Sequence, residues 1–207
     1  MIEFPQTAYI HRKLPKEAFY KYLTLTGGLK DRFVSDIDGI YVEYSLTKDN
    51  LHLEKETAVK EILIMEIDLK KKDYDRKLLE VIARQNPHKL VFILSYKEER
   101  RCAVYQGKLY QTEWKKAEAV QLSAQGFSLE KIWDGFVEQI ALAKEESVPG
   151  NMTIEQRLER QKRIEELQQQ IMRIKTLTWK EKQPKKKFEL YQKMKRYIKE
   201  LEDIKNG

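Results

Sequence analysis

One cysteine, Cys102, stands among 207 residues. The chain therefore has no internal disulfide to form, and a zinc site built on several cysteines is excluded. Cys102 itself reads as a partly buried strand residue within ArgCysAlaValTyr. No apolar run approaches the roughly 20 residues that a membrane helix requires. The opening MetIleGluPheProGln holds neither the basic region nor the apolar stretch of a signal peptide, so no membrane is expected as a partner and the cytoplasm is the expected compartment. Histidines number three, and His11, His52 and His88 lie at no ligand spacing, which leaves no metal site to build on them. No serine sits in a nucleophile-elbow pattern. ThrGlyGlyLeuLys, Thr26 to Lys30, lacks the full phosphate-loop pattern and reads as a turn. No catalytic residue, metal ligand or cofactor is assigned from the sequence.

Charge, by contrast, is abundant. Lys+Arg number 40 and Asp+Glu 33, and the division along the chain matters more than the total. From Gly150 onward there are 16 basic and 9 acidic residues, and the preceding part carries 24 of each. The whole net charge of +7 thus belongs to the tail. A neutral body with a basic arm points to a localised contact with an acidic partner such as nucleic acid.

Apolar periodicity divides the chain in the same place. A short helix is expected from Pro15, with Ala18 and Tyr22, Phe19 and Leu23 at helical spacing and ThrGlyGly as its stop; a second is expected over Leu29 to Ile37. Ile40, Val42 and Tyr44 alternate as in a strand over Gly39 to Leu46. Ile62 to Leu69 is apolar on both faces and so predicts a central strand. A helix follows, capped by Asp73 or Asp75 and carrying Leu78, Leu79 and Ile82. AsnProHis, Asn86 to His88, breaks it before a second apolar strand, LysLeuValPheIleLeuSerTyr. The strand-helix-strand order predicts that these two strands run parallel. A hairpin turning at Gln106 and Gly107 comes next, then a helix capped by Ser128 whose apolar face packs on the sheet. ValProGlyAsn, Val148 to Asn151, reads as a linker. Beyond it, Ile154, Leu158, Ile164, Leu167, Ile171, Ile174 and Leu177 recur at coiled-coil intervals. The period resumes at Phe188, Tyr191, Met194, Ile198, Leu201 and Ile204. The expected architecture is an α+β or α/β domain over residues 1–148, with a mixed sheet packed by helices. A basic helical appendage over 149–207 follows, either a hairpin within the chain or a short coiled coil that forms a homodimer.

Two constellations invite a chemical reading. Glu66, Asp68 and Lys70 alternate along the central strand and leave one face of it. Two carboxylates and a lysine so placed can hold a divalent metal and steady phosphate charge, as in metal-dependent nucleases with an Asp-x-Lys strand, with Asp36, Asp38 or Glu43 as the further acid. The competing reading is a strand end emerging into solvent. The second constellation is the run Arg173 to Lys199, with eleven basic and two acidic residues and Trp179, Phe188, Tyr191 and Tyr197 interleaved. Lys180, Lys182, Lys185, Lys186, Lys187, Lys193, Lys195 and Arg196 are the candidate nucleic-acid contacts, because cations neutralise phosphates and aromatic rings stack on exposed bases. The alternative has the aromatics packing between helices.

Taken in order, LysGluAlaPheTyr, LysAspArgPheValSerAspIleAspGlyIle, GluIleLeuIleMetGluIleAspLeuLys, TyrGlnThrGluTrp and GlyPheSerLeuGluLysIleTrpAspGlyPheValGluGlnIle resemble a bacterial family of about this length catalogued as a domain of unknown function. The likeness spans roughly Ile10 to Leu142. Members of that family are often encoded beside Swi/Snf-type helicases and DNA methyltransferases of restriction-like defence loci. The resemblance implies a setting and no catalytic residue. The resulting expectation is a non-catalytic accessory subunit of a DNA-processing or anti-phage assembly, with a helicase or DNA methyltransferase, and DNA, as partners. The nuclease and the homodimeric scaffold are the alternatives.

Overall fold

A computed structural model describes residues 2–17, 21, 23–143 and 152–206. The chain divides into two compact units, Met1–Ala143 and Lys144–Gly207. The helix expected from Pro15 falls largely outside the described residues, as does the linker Val148 to Asn151.

The first unit is built on a seven-stranded mixed sheet. In chain order the strands are β1 (Ile2–Glu3), β2 (Tyr9–Lys13), β3 (Ile37–Thr47), β4 (Glu61–Leu69), β5 (Lys89–Tyr96), β6 (Glu99–Gln106), β7 (Lys108–Gln111), β8 (Lys115–Lys116) and β9 (Leu122–Ser123). The sheet runs β2-β3-β4-β5-β6-β7, with β8 also on β6, and β1 and β9 form a separate parallel pair. Among the described residues, β4 and β5 are the only parallel neighbours within the large sheet, and they run as the strand-helix-strand order predicts. The hairpin between β6 and β7 turns at Gly107, whose φ of 71° is a conformation that glycine adopts without strain.

Helix α1 (Gly27–Asp36) starts two residues earlier than its apolar spacing suggests. Thr26 is its N-cap and ThrGlyGly opens it instead of forming a turn that ends a preceding helix. Helix α2 (Lys77–Gln85) is entered through Asp75, whose side chain accepts from the Lys77 amide at 3.0 Å. Helix α3 (Leu129–Ala141) has the expected Ser128 cap, accepting from the Lys131 amide.

Period two sorts the central strand between two cores. Met65, Ile67 and Leu69 of β4 join Phe92 and Leu94 of β5 under Phe33 of α1 and Leu78, Leu79 and Ile82 of α2. Ile62 and Ile64, on the opposite face, are equally buried, and α3 packs against β4, β6 and β7 with Ile132, Trp133, Phe136, Val137 and Ile140 buried. Cys102 is 2% exposed, more buried than its sequence context suggests. Burial pushes its thiol up to about 11, which leaves it unreactive at neutral pH.

The second unit is a helical hairpin. Helix α4 (Ile154–Lys180) opens on a full capping box between Thr153 and Gln156, and helix α5 (Pro184–Asn206) opens on a proline at its first position. The connection is three residues long, with Gln183 donating its amide to Glu181 Oε1 at 2.8 Å. α5 returns along α4: Arg163 Nε donates to Glu200 Oε1 at 3.0 Å, and Arg160 Nε to the Ile204 carbonyl at 3.2 Å.

Candidate nucleic-acid interface

The seam between the two helices selects a stripe that differs from the one expected. Ile164, Leu167 and Ile174 of α4 are buried. On α5 the partly covered apolar positions are Leu190, Met194, Tyr197, Ile198, Leu201 and Ile204, and no α5 residue is buried. Leu190, Met194, Tyr197, Leu201 and Ile204 follow the 4-3-4-3 spacing of a helix seam. Phe188 and Tyr191 lie off that seam and stay exposed, at 62% and 44%. The choice follows from geometry, because once Met194 and Leu201 face α4, Phe188 is nearly half a turn away from them. Trp179, on the last turn of α4, is 87% exposed.

Folding the hairpin also sorts its charges by position. Residues 168–195, the half next to the connection, hold nine basic and two acidic residues. The remaining residues, 152–167 and 196–206, hold seven basic and seven acidic. Ion pairing follows the same division. Among the described residues of the hairpin, the ion pairs Lys162–Glu166, Arg163–Glu166 and Arg163–Glu200 all lie in the half away from the connection. Lys180, Lys182, Lys185, Lys186, Lys187, Lys193, Lys195 and Arg196 are all exposed, and the fold-back places seven of them in the half next to the connection, with Arg196 at its border. Lys195 lies over the Tyr191 ring at 5.4 Å and Lys193 over Tyr197 at 5.8 Å.

The body provides no comparable concentration of one charge. Glu66 and Asp68 do leave the same face of β4, opposite Tyr41 and Gly39 of β3. Glu66 Oε1 is taken by the Ser95 hydroxyl at 2.6 Å and the Arg100 guanidinium at 2.8 Å. Lys70 does not join them. It follows the end of β4, its ammonium donates to the Val34 carbonyl at 3.0 Å, and its amide to the Asp36 carbonyl at 2.8 Å, so it caps the last turn of α1. Asp36, a candidate third acid, is buried between Lys71, Ser35 and the Asp75 amide. No group of three or more His, Cys, Asp or Glu side chains arranged to hold a metal occurs among the described residues. His11 pairs with Glu43 at 3.0 Å and His88 with Glu61 at 3.1 Å.

Burial raises the Asp68 carboxyl, and the charges of Glu66, Asp38 and Glu43 add to it against the opposing Arg100. The folded state holds this proton more tightly than the unfolded chain, so stability falls as pH climbs through the carboxyl range. Asp68→Asn is therefore expected to stabilise the protein by a few tenths of a kcal/mol at pH 7 and to change nothing at pH 3, read from paired urea melts.

The partners of Glu66 were not legible in the sequence. Ser95 and Arg100 reach it only because β5 and β6 lie next to β4 in this register. The TyrGlnThrGluTrp motif also has a structural role. Thr112 exchanges hydrogen bonds with the Cys102 backbone and accepts from Arg101, whose guanidinium lies 5.2 Å from the Trp114 ring centre.

Fold and charge together define a mixed-sheet α/β body joined to a basic helical hairpin. The chain belongs to the family described as Domain of unknown function (DUF4391), whose model matches residues 2–201. The match extends well past Leu142, so the hairpin is part of the family's own pattern and not an appendage outside it. Comparison with curated proteins and with solved structures finds no match. No helix among the described residues is long and apolar enough to cross a membrane.

Proposed function

We propose that this chain is a non-catalytic accessory subunit of a bacterial DNA-processing or anti-phage defence assembly. In this reading the α/β body docks on a helicase or DNA methyltransferase of the same locus, and the connection end of the hairpin contacts nucleic acid. The observation that carries it is the sorting of charge within the hairpin, nine basic against two acidic residues in the half next to the connection. Such a surface releases condensed counterions when it neutralises phosphates. The pairing of α4 with α5 supports this reading over the homodimeric scaffold, because the apolar seam already has its partner within the chain. The nuclease reading lacks its lysine, since Lys70 is held at the end of α1.

A mobility-shift series with duplex and single-stranded DNA from about 50 to 200 mM salt tests the nucleic-acid half. Affinity is expected to fall steeply, with a log-log slope of about 0.9 per phosphate neutralised on duplex and about 0.7 on single strands. Absence of binding at the lowest salt, or binding indifferent to salt, removes nucleic acid from the proposal. Magnesium-dependent cleavage abolished by Asp68→Ala would reinstate the nuclease.

A further inference from the structure

Lysines alone do not distinguish a duplex from a single strand, but the side chains set among them do. Trp179 is 87% exposed and Phe188 62% exposed, on either side of the three-residue connection, and Tyr191 follows Phe188 one turn along the same side of α5. Lys180 and Lys182 follow Trp179 closely in the chain, and Lys185, Lys186 and Lys187 immediately precede Phe188. Between the helices at this end lies an open groove of about 590 Å³, floored by Leu177 and Leu190 and walled by Lys180, Lys186 and Lys193, with Glu181 and Glu189 also at its edge.

Large apolar rings held in water and flanked in the chain by lysines call for a partner with both flat apolar faces and negative charge. In a duplex the faces of each base are covered by its neighbours, and exposing one costs a few kcal/mol. A single strand presents those faces freely alongside its phosphates, and stacking on aromatic side chains tolerates any base sequence. A second copy of the hairpin fits poorly, because it would set one strongly basic end against another. We propose that the connection end of the hairpin binds single-stranded nucleic acid in preference to duplex, with Trp179 and Phe188 stacking on bases and the surrounding lysines holding the backbone. This proposal rests on the nucleic-acid reading above and narrows it to one class of ligand.

The test uses the full chain, an oligothymidine of about 20 nucleotides and a duplex of the same length. Anisotropy gives the two affinities, and tryptophan emission is recorded on the same samples. The expected result is tighter binding of oligothymidine, with quenching that disappears in Trp179→Phe; Trp133 is only 4% exposed and Trp114, in the body, is partly buried and covered by Lys72 and Arg101, so neither carries that signal. The double variant Trp179→Ala/Phe188→Ala is expected to lose about tenfold or more in affinity for oligothymidine and to keep its duplex affinity. Both side chains are largely exposed, so the variant should fold, which circular dichroism checks. Equal loss for both ligands, or no loss for either, overturns the stacking proposal and leaves the lysine-based reading standing. The stacking proposal also fails if the double variant changes the sedimentation of the free protein while binding both ligands normally, since the rings would then serve a protein contact. Failure of the unaltered chain to bind either ligand at low salt removes both proposals together.

Discussion

Asp36→Ala is expected to lower the stability of the protein by about 3 kcal/mol at pH 7, a fall of roughly 10 °C in Tm. Asp36 is fully buried at the end of α1. Its Oδ1 meets the Lys71 ammonium at 2.7 Å and accepts from the Ser35 hydroxyl at 2.6 Å, and its Oδ2 accepts from the Asp75 amide at 3.0 Å. One side chain thus ties the exit of α1 to the entrance of α2 and to the segment leaving β4. Alanine strands the Asp75 amide, whereas the Lys71 side chain, 40% exposed, can return to water; this places the loss at the lower end of the range for broken buried pairs. Burial by itself would raise the carboxyl, but the hydrogen bonds from Lys71, Ser35 and the Asp75 amide prevail and hold it below its ordinary value. The stabilisation is therefore complete above the unfolded-state pKa of about 3.9 and is lost as pH falls through the lower folded value. Asp36→Asn keeps an oxygen for the Asp75 amide and should cost less than alanine at pH 7, with its deficit shrinking in strong acid. Urea denaturation of the three proteins at pH 7 and pH 3 measures both effects. A deficit below about 1 kcal/mol for alanine at pH 7 would show that this side chain is dispensable.

Replacing Lys185, Lys186 and Lys187 together by alanine is expected to weaken nucleic-acid binding by about a hundredfold near 0.1 M salt. Each phosphate that is no longer neutralised takes about 0.7 to 0.9 from the log-log salt slope, so the triple variant should show a slope shallower by about 2 to 3. That difference, carried from 1 M to 0.1 M salt, is the expected loss. The three lysines occupy the start of α5 and are all exposed, with Lys186 at the edge of the groove between the helices, and alanine is a good helix former. The fold should therefore survive, and any loss reports on binding. As a control, Lys162→Ala removes a cation in the other half, where it lies 3.9 Å from Glu166, and should change affinity little. Weaker binding with an unchanged slope would mean that the three lysines act through the hairpin's shape and not through the phosphates.

Much of the fold was legible because short-range rules dominate it. Ile62 to Leu69 reads as a central strand because both of its faces are apolar, and it lies between β3 and β5. Ser128 reads as a cap because a hydroxyl before an amphipathic run can satisfy a free helix amide, and it does so. ThrGlyGly reads as a stop because glycine usually ends helices, while here Thr26 stands at the N-terminal boundary of the next one and both glycines open it. The candidate site was legible in composition but not in arrangement. The sequence places eleven cations in 27 residues of the hairpin, yet its periodicity puts Phe188 and Tyr191 on the packed stripe, where the structure does not have them.

The elements and the location of the charge follow from the chain alone, since hydrophobic period, capping residues and net charge are local properties of it. Three features needed the folded molecule: the pairing of α4 with α5 within the chain, the departure of Lys70 from the carboxylates it alternates with to cap α1, and the exposure of Trp179 and Phe188 to water among the lysines. Each depends on which of several equivalent faces finds a partner, and that is set by packing between residues far apart in the chain, on which the local pattern carries no information.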